Sequence, residues 1–319
     1  MQAKPILDES LAKHGGSSTY TDRLPFNGEI RTTVVSVIVP VWNSATHLQA
    51  CIDSLLRQTL ARDEYEVILV DNGSLDESLA IAQSCKGVRL FVEKRPGSYA
   101  ARNLGISAAR GEYVAFMDSD CVADPGWLEN GLRVARAHPE AGIVAGRIEL
   151  VTSAGASRLC DAYERTFSFN QAKNISNGVA VTANWFSPAE VVRKLGAFRG
   201  DLKSGGDHEF ARRIRKAGYP ILYAPDALVF HAARSSFSEL AAKSRRVIGG
   251  RMASRSDRNG LEWVGTVSRD TMRRLWIASR ARHLSWGAKG GVWALSLALW
   301  AVTLHEILRI SSGAEARRA

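Results

Sequence analysis

Between residues 34 and 117 the apolar positions follow two periods in turn. Short runs at 34–40, 66–70, 88–92 and 113–117 are β-branched or aromatic with little polar alternation. That pattern predicts strands covered on both faces, the first of them stopped by Pro40. Residues 47–60 have helical spacing, with Leu48, Cys51 or Ile52, Leu55 and Leu56 on one face. Residues 76–85 and 98–109 also read as helices, the latter closed by Gly111. Alternation of strands and helices predicts an α/β fold with a mostly parallel sheet and crossover helices.

Past Trp127 the rhythm changes. Residues 143–151 read as a strand, followed by a less regular stretch to about 182. Residues 184–186 precede a short helix at 188–195. Residues 205–210 open an arginine-rich helix that stops before Gly218-Tyr219-Pro220, and 221–224 and 227–231 read as two short strands around Pro225-Asp226.

The charge is uneven. Residues 1–201 carry 21 Lys/Arg against 23 Asp/Glu, and residues 202–319 carry 21 against 9. The excess centres on 243–289, which holds twelve basic residues and three acids, Asp257, Glu262 and Asp270. An anionic partner for the C-terminal third is implied. Residues 290–304 follow without a charge. They fall short of the ~20 apolar residues of a spanning helix, so an interfacial helix, a buried hairpin arm and a short span all stay open. Residues 1–33 lack the apolar core of a signal peptide and are expected to be a loose leader. Cys51, Cys85, Cys121 and Cys160 form no Cys-x-x-Cys pair, which points to a reducing compartment.

The candidate chemistry lies where strands end. Asp118 and Asp120 follow the buried run 113–117, and ligands in open α/β sheets bind outside the carboxyl ends of strands. Hard divalent cations prefer oxygen ligands and bridge carboxylates to phosphates. Asp118 and Asp120 therefore read as half of a metal–diphosphate clamp. Pro40 to Asn43, Asp71-Asn72, and later Asp207 with His231 also stand at predicted element ends.

These segments together resemble family 2 glycosyltransferases of the GT-A fold. The match is carried by Val37-Ile38-Val39-Pro40-Val41-Trp42-Asn43, Val70-Asp71-Asn72-Gly73-Ser74, Ala101-Arg102-Asn103-Leu104-Gly105 and Asp118-Ser119-Asp120. It continues through Thr182-Ala183-Asn184, Gly196-Ala197-Phe198, Gly205-Gly206-Asp207-His208-Glu209-Phe210 and Pro225-Asp226-Ala227-Leu228-Val229-Phe230-His231. It implies a glycosyltransferase domain over 34–235, with a nucleotide-sugar half at 34–125 and an acceptor half at 126–235. A basic helical region at 236–319 would follow and associate with membrane through 290–304.

The resemblance implies inverting, metal-dependent transfer of a single hexose from a nucleotide sugar, such as a UDP-sugar, to a saccharide or lipid-linked saccharide. Pro40, Val41, Asn43, Asp71, Asn72, Arg102, Asn103, Asp118 and Ser119 would bind the donor. Asp120, Asp118 and His231 would hold Mn²⁺ or Mg²⁺. Asp207 would be the general base, with Glu209 as substitute or assistant because Gly206 replaces the first member of an acidic pair common in the family. Asn184, Trp185 and His208 would meet the acceptor or sugar. The processive Gln-x-x-Arg-Trp motif is not found. Exopolysaccharide, lipopolysaccharide or another glycolipid is the implied product, made at the cytoplasmic face of the membrane on an anionic surface.

A sugar-phosphate nucleotidyltransferase would carry a glycine-rich loop with a basic residue where Val41-Trp42-Asn43 stands. Three intact carboxylates, Asp118, Asp120 and Asp207, argue against a non-catalytic scaffold. High pI alone suggests nucleic acid, but no such module is recognisable and the basic run adjoins an apolar one.

Overall fold

The structure is a computed structural model and describes residues 33–152, 155–254 and 258–316. The leader expected over 1–33 lies outside the described residues, save Thr33. The chain runs β1 (Val35–Val41), α1 (Ala45–Leu56), β2 (Tyr65–Asp71), α2 (Ser78–Ser84), β3 (Arg89–Val92), α3 (Ser98–Ala108), β4 (Tyr113–Met117) and β5 (Cys121–Ala123). It continues through α4 (Trp127–Ala137), β6 (Ile143–Val151), α5 (Arg158–Phe167), α6 (Gln171–Ser176), β7 (Asn184–Pro188), α7 (Ala189–Lys194) and α8 (Gly206–Lys216). Strand β8 (Ile221–Ala232) and helices α9 (Phe237–Ser254), α10 (Gly260–Arg280) and α11 (Trp286–Ser311) complete it.

The eight strands form one sheet in the order β3-β2-β1-β4-β7-β6-β8-β5. Strands β3, β2, β1 and β4 are parallel neighbours, joined by crossover helices as expected. Strand β1 shows why these runs do not alternate. Val35, Val37, Val39 and Val41 face a core with Leu48, Ile52 and Trp127, whereas Ile38 faces a second core with Phe116, Trp185 and Phe210. Both faces are covered, so both must be apolar.

The second half departs from the sequence expectation. Residues 184–186 do precede a helix, α7, but 184–188, assigned no element of their own from the sequence, form the central strand β7, antiparallel to β4 and β6. The two short strands at 221–224 and 227–231 are one strand, β8, which passes Pro225 through a register shift opposite Gly146 and Arg147. The missing proline N–H is tolerated at such an irregularity. The stretch before 182 contains α5 and α6.

The basic helices do not stand apart. Val292, Leu295 and Leu299 of α11 pack with Cys160 and Tyr163 of α5 and Leu240 of α9. Ile307 packs with Ile248 of α9 and Trp263 and Val267 of α10. Helices α9, α10 and α11 therefore share a core with α5.

Candidate active site

The carboxyl ends of β1 and β4, the end of β8 and the start of α8 converge on a cleft of about 1090 Å³. At one end the loops after β1 and β2 are stitched together. Asn43 holds a left-handed backbone, φ 48°, and its Oδ1 accepts the Leu75 N–H at 2.8 Å. Its own N–H donates to Ser74 Oγ at 3.1 Å. Asn72 accepts the Gly97 N–H at 2.7 Å and donates to the Glu93 and Arg95 carbonyls. It thereby fixes the loop that brings Pro96 and Gly97 to the cleft.

Asp71 is buried behind that wall. Its Oδ2 accepts the N–H groups of Gly73 at 2.9 Å and Ser74 at 3.3 Å, the geometry of a turn cap. Its Oδ1 is buried without a hydrogen-bond partner among the described residues. An acceptor left in that state costs stability, and Asp71 does not itself line the cleft.

Asp118, Ser119 and Asp120 line the cleft at the end of β4. Arg102 is buried and ion-paired with Asp118. Arg102, expected at the donor, is seen bracing this carboxylate. Burial pushes the Asp118 pKa up, Arg102 opposes this, and the neighbouring Asp120 charge adds to the rise. Ser119 Oγ shares a 2.7 Å hydrogen bond with Ser44 Oγ, tying this turn to the loop after β1.

Pairing of β5 with β8 sets Cys121 opposite His231 and so brings His231 to Asp120. The His231 Nδ1 lies 2.7 Å from the Ala232 carbonyl, which only a protonated Nδ1 can use as a donor. In the neutral ring Nε2 then keeps its lone pair, 3.3 Å from Asp120 Oδ2. This second hydrogen bond orients imidazole as in histidine metal ligands. The Phe169 ring lies 4.2 Å from the imidazole and holds its plane. Asp120, Cys121 and His231 place potential ligand atoms within 4.8 Å of one another. A hard cation would take the oxygen and nitrogen donors, Asp120 and His231, before a neutral thiol.

Gly205 turns the chain left-handed at φ 78° and α8 starts at Gly206. A Cβ at Gly206 would come 2.7 Å from the Tyr99 ring, which accounts for glycine beside the candidate base. Asp207 Oδ1 accepts from Tyr99 Oη at 3.3 Å and from the His208 N–H at 2.9 Å. Burial, and then the Asp207 charge, push the Tyr99 pKa up, so the phenol stays a donor. Glu209 turns away. Arg213 grips it at 3.0 Å while also donating to the Ala197 carbonyl, and Glu209 is not part of the cleft wall.

Two expected acceptor contacts need correction. Asn184 and Trp185 are wholly buried. Asn184 accepts from Trp127 Nε1 and donates to the Arg147 and Ala227 carbonyls at 2.8 Å, joining β6, β7 and β8. Trp185 packs among Phe116, Phe198 and Phe210. Neither can touch a ligand without opening the core. Asn103 is likewise diverted from the donor site, since its amide makes both hydrogen bonds with the Phe198 backbone. His208, Pro40 and Val41 do line the cleft.

The sequence reading missed Tyr99, Phe169, Glu164, Arg234, Lys243 and Arg246, all on the cleft wall. Tyr99 had a signal, since it stands three residues before Arg102 on one helix face. Glu164 is wholly buried between Arg234 at 2.9 Å and Lys243 at 3.1 Å. Burial would raise its pKa, but the two cations hold it down to about 2. No local pattern foretells that meeting of three distant segments.

Residues 36–196 match the model of glycosyl transferase family 2. The glycosyltransferase AglE of Haloferax volcanii is 36% identical over 233 residues, 71% of this chain and 73% of that protein. The matches to EpsH and EpsJ of Bacillus subtilis, 39% and 44% identical, cover 31% and 26% of their lengths. Mannosyltransferase PcManGT from Pyrobaculum calidifontis, solved with GDP-Man and Mn²⁺, superposes on 88% of this chain and 86% of its own with a TM-score of 0.54 and 20% identity. S. aureus TarS residues 1–349, solved with UDP, superposes on 89% and 93% with a TM-score of 0.51 and 16% identity. The strand order, the cleft at the strand ends and these matches lead to one conclusion: the chain belongs to glycosyl transferase family 2 and is a glycosyltransferase of the GT-A fold.

Proposed function

We propose that this glycosyltransferase moves a single hexose, with inversion, from a UDP-sugar to a hydroxyl of a saccharide or lipid-linked saccharide. The observation that carries this reading is the state of Asp207. Tyr99 and the His208 N–H occupy its Oδ1, while among the described residues nothing hydrogen-bonds its Oδ2. A carboxylate positioned from one side, with its second oxygen on a cleft, suits a general base.

The acceptor oxygen attacks the anomeric carbon from the face opposite the diphosphate and passes its proton to Asp207 Oδ2. A carbon–oxygen bond to the acceptor forms as the bond to the diphosphate oxygen breaks, and nucleoside diphosphate leaves. Asp71 caps the Gly73-Ser74 turn behind the nucleotide pocket, the 40–43 backbone and Ser119 shape that pocket, and Arg102 keeps Asp118 in place. Asp120 and His231 would hold Mn²⁺ or Mg²⁺, which when bound neutralises diphosphate charge. The Mn²⁺ in PcManGT and the UDP in TarS support this donor and metal reading.

The site is proposed to work at the cytoplasmic face of the membrane in glycolipid or polysaccharide assembly. Helix α11 is 26 residues long and apolar enough to cross a bilayer. One of its faces is packed on α5, α9 and α10, which favours a seat in the interface.

Incubating the full chain with UDP-, GDP- and dTDP-sugars and either metal tests the donor. UDP-sugar turnover that needs Mn²⁺ or Mg²⁺ is expected. Calorimetry should show that Asp120→Ala loses metal-dependent nucleotide affinity by at least about tenfold. Unchanged affinity and metal dependence would reject Asp120 as ligand.

A further inference from the structure

Phe169 stands in the short link between α5 and α6 with a left-handed backbone, φ 52°. That conformation is uncommon for a bulky side chain and usually falls to glycine or asparagine. A residue kept there against its preference is held by its surroundings. Its ring meets the His231 imidazole, with centroids 4.2 Å and planes 37° apart. The Lys243 ammonium lies 5.5 Å from the same ring's centroid, within reach of a cation–π contact.

Lys243 is itself fixed. It donates to Glu164 Oε1 and to Ser168 Oγ, both at 3.1 Å. Ser168 Oγ in turn donates to Glu164 Oε1 at 2.7 Å. Ser168 directly precedes Phe169, so one cluster grips both the link and the ring. His231 has a use for such support. Its Nδ1 faces the Ala232 carbonyl and its Nε2 faces Asp120, but the χ2 torsion of histidine is soft. A ring packed on the imidazole limits that torsion.

We propose that Phe169 is a positioning residue for the metal site: pinned by Lys243 of α9, its ring sets the tilt of the His231 imidazole and with it the affinity for a divalent cation. The inference rests on the reading of His231 as a metal ligand and adds a support that touches no metal itself. Helix α9 then bears on the metal site through one aromatic ring.

The test is calorimetry of UDP binding to the full-length protein with and without Mn²⁺. Beside it stands ¹⁵N NMR of the His231 ring in the metal-free protein, its signal identified by its loss in His231→Gln. Phe169→Leu keeps an apolar side chain, Phe169→Gly relieves the backbone and removes the ring, and Phe169→Tyr keeps the ring. Phe169→Leu and Phe169→Gly are expected to lose about three- to tenfold of the affinity gained from Mn²⁺, the worth of one aromatic pair. Phe169→Tyr should keep that gain within about twofold, and Lys243→Met should lose about two- to threefold of it. UDP affinity without metal should stay within about twofold throughout. The wild-type ring should show one tautomer, protonated on Nδ1, and Phe169→Leu and Phe169→Gly a mixture.

Undiminished Mn²⁺ affinity in Phe169→Leu would overturn the proposal. Should that variant not fold, the same result in Phe169→Gly, which suits the left-handed backbone, would overturn it instead. An unchanged His231 spectrum would do so as well. A loss shared by Phe169→Tyr, or by UDP without metal, would show a general distortion of the cleft and end the proposal. Full affinity in Lys243→Met would overturn the pin from α9. Failure of the wild type to bind Mn²⁺ would count against the metal reading, and the His231 spectra would still decide whether Phe169 positions the ring.

Discussion

At the scale of single residues, function turns on which oxygen or nitrogen is left over after the protein has used the rest. Asp207 and Glu209 have the same chemistry and lie two positions apart. Arg213 consumes Glu209, whereas Asp207 keeps one oxygen for the cleft. Asp207→Asn is therefore expected to cut turnover by about 10²–10⁴ while leaving nucleotide Kd unchanged, read by steady-state kinetics beside calorimetry. Near-wild-type turnover in that variant, with Glu209→Gln inactive, would transfer the role to Glu209. The Asp-x-Asp spacing, the histidine and the glycine before Asp207 were all legible in the sequence. Their roles were implied only through the family resemblance, because a local pattern does not show a partner as distant in sequence as Tyr99 is from Asp207.

At the scale of elements, two joints hold the cleft's shape. The first is the start of α8 against Tyr99 of α3. Gly206→Ala would put a methyl into the Tyr99 ring, so either the ring or the helix start must shift. The expected cost is about 1–3 kcal/mol, and activity should fall further than stability because Asp207 loses its positioning phenol. Thermal melts alongside kinetics separate the two effects, and a variant that loses stability but keeps kcat would refute this joint's role.

The second joint is the Glu164 cluster linking α5, the end of β8 and α9. Glu164→Gln leaves two partly buried cations without their shared anion, and about 3 kcal/mol of stability should go. The sign with pH follows from a carboxyl held down to about 2. The stabilisation is fully present above its ordinary value of 4.5 and is lost as pH falls through 2. The wild-type advantage over Glu164→Gln, measured by chemical denaturation, should be flat from pH 5 to about 7 and shrink below pH 5. Lys243 acts in the other direction, since burial first and then Arg234 lower its pKa to about 8. At neutral pH the carboxylate between two cations sets the net sign. An advantage that grows on acidification would contradict the assignment.

At the scale of the whole molecule, the basic and apolar C-terminal region serves two surfaces. One side of α11 closes the cleft and the core. The other leaves Trp286 85%, Trp293 41% and Leu297 49% exposed, with Lys289 over the Trp286 ring and Arg280 over Trp276. Tryptophan beside cations suits an anionic interface. Replacing Trp286, the more exposed of the two, with Ser should measurably weaken binding to phosphatidylglycerol vesicles and leave the melting temperature nearly unchanged. Equal vesicle binding would remove the membrane seat. Truncation at 243 is a poor test, because it would strip Val292, Leu295 and Leu299 from α5 and unfold the acceptor half.

The sequence by itself determined the parallel half of the sheet, the order of its crossovers and the carboxylates at its strand ends. Those features are written in local periodicity and in the turn chemistry that ends each run. Tertiary structure alone decided that 184–188 is a buried central strand and that β8 is continuous past Pro225. It alone withdrew Asn184, Trp185 and Asn103 from the site and brought Glu164, Arg234, Lys243 and Arg246 into it. Those outcomes depend on which distant groups share a buried volume. A polar side chain there must take its partners from whatever packing brings near, and no local pattern records that meeting.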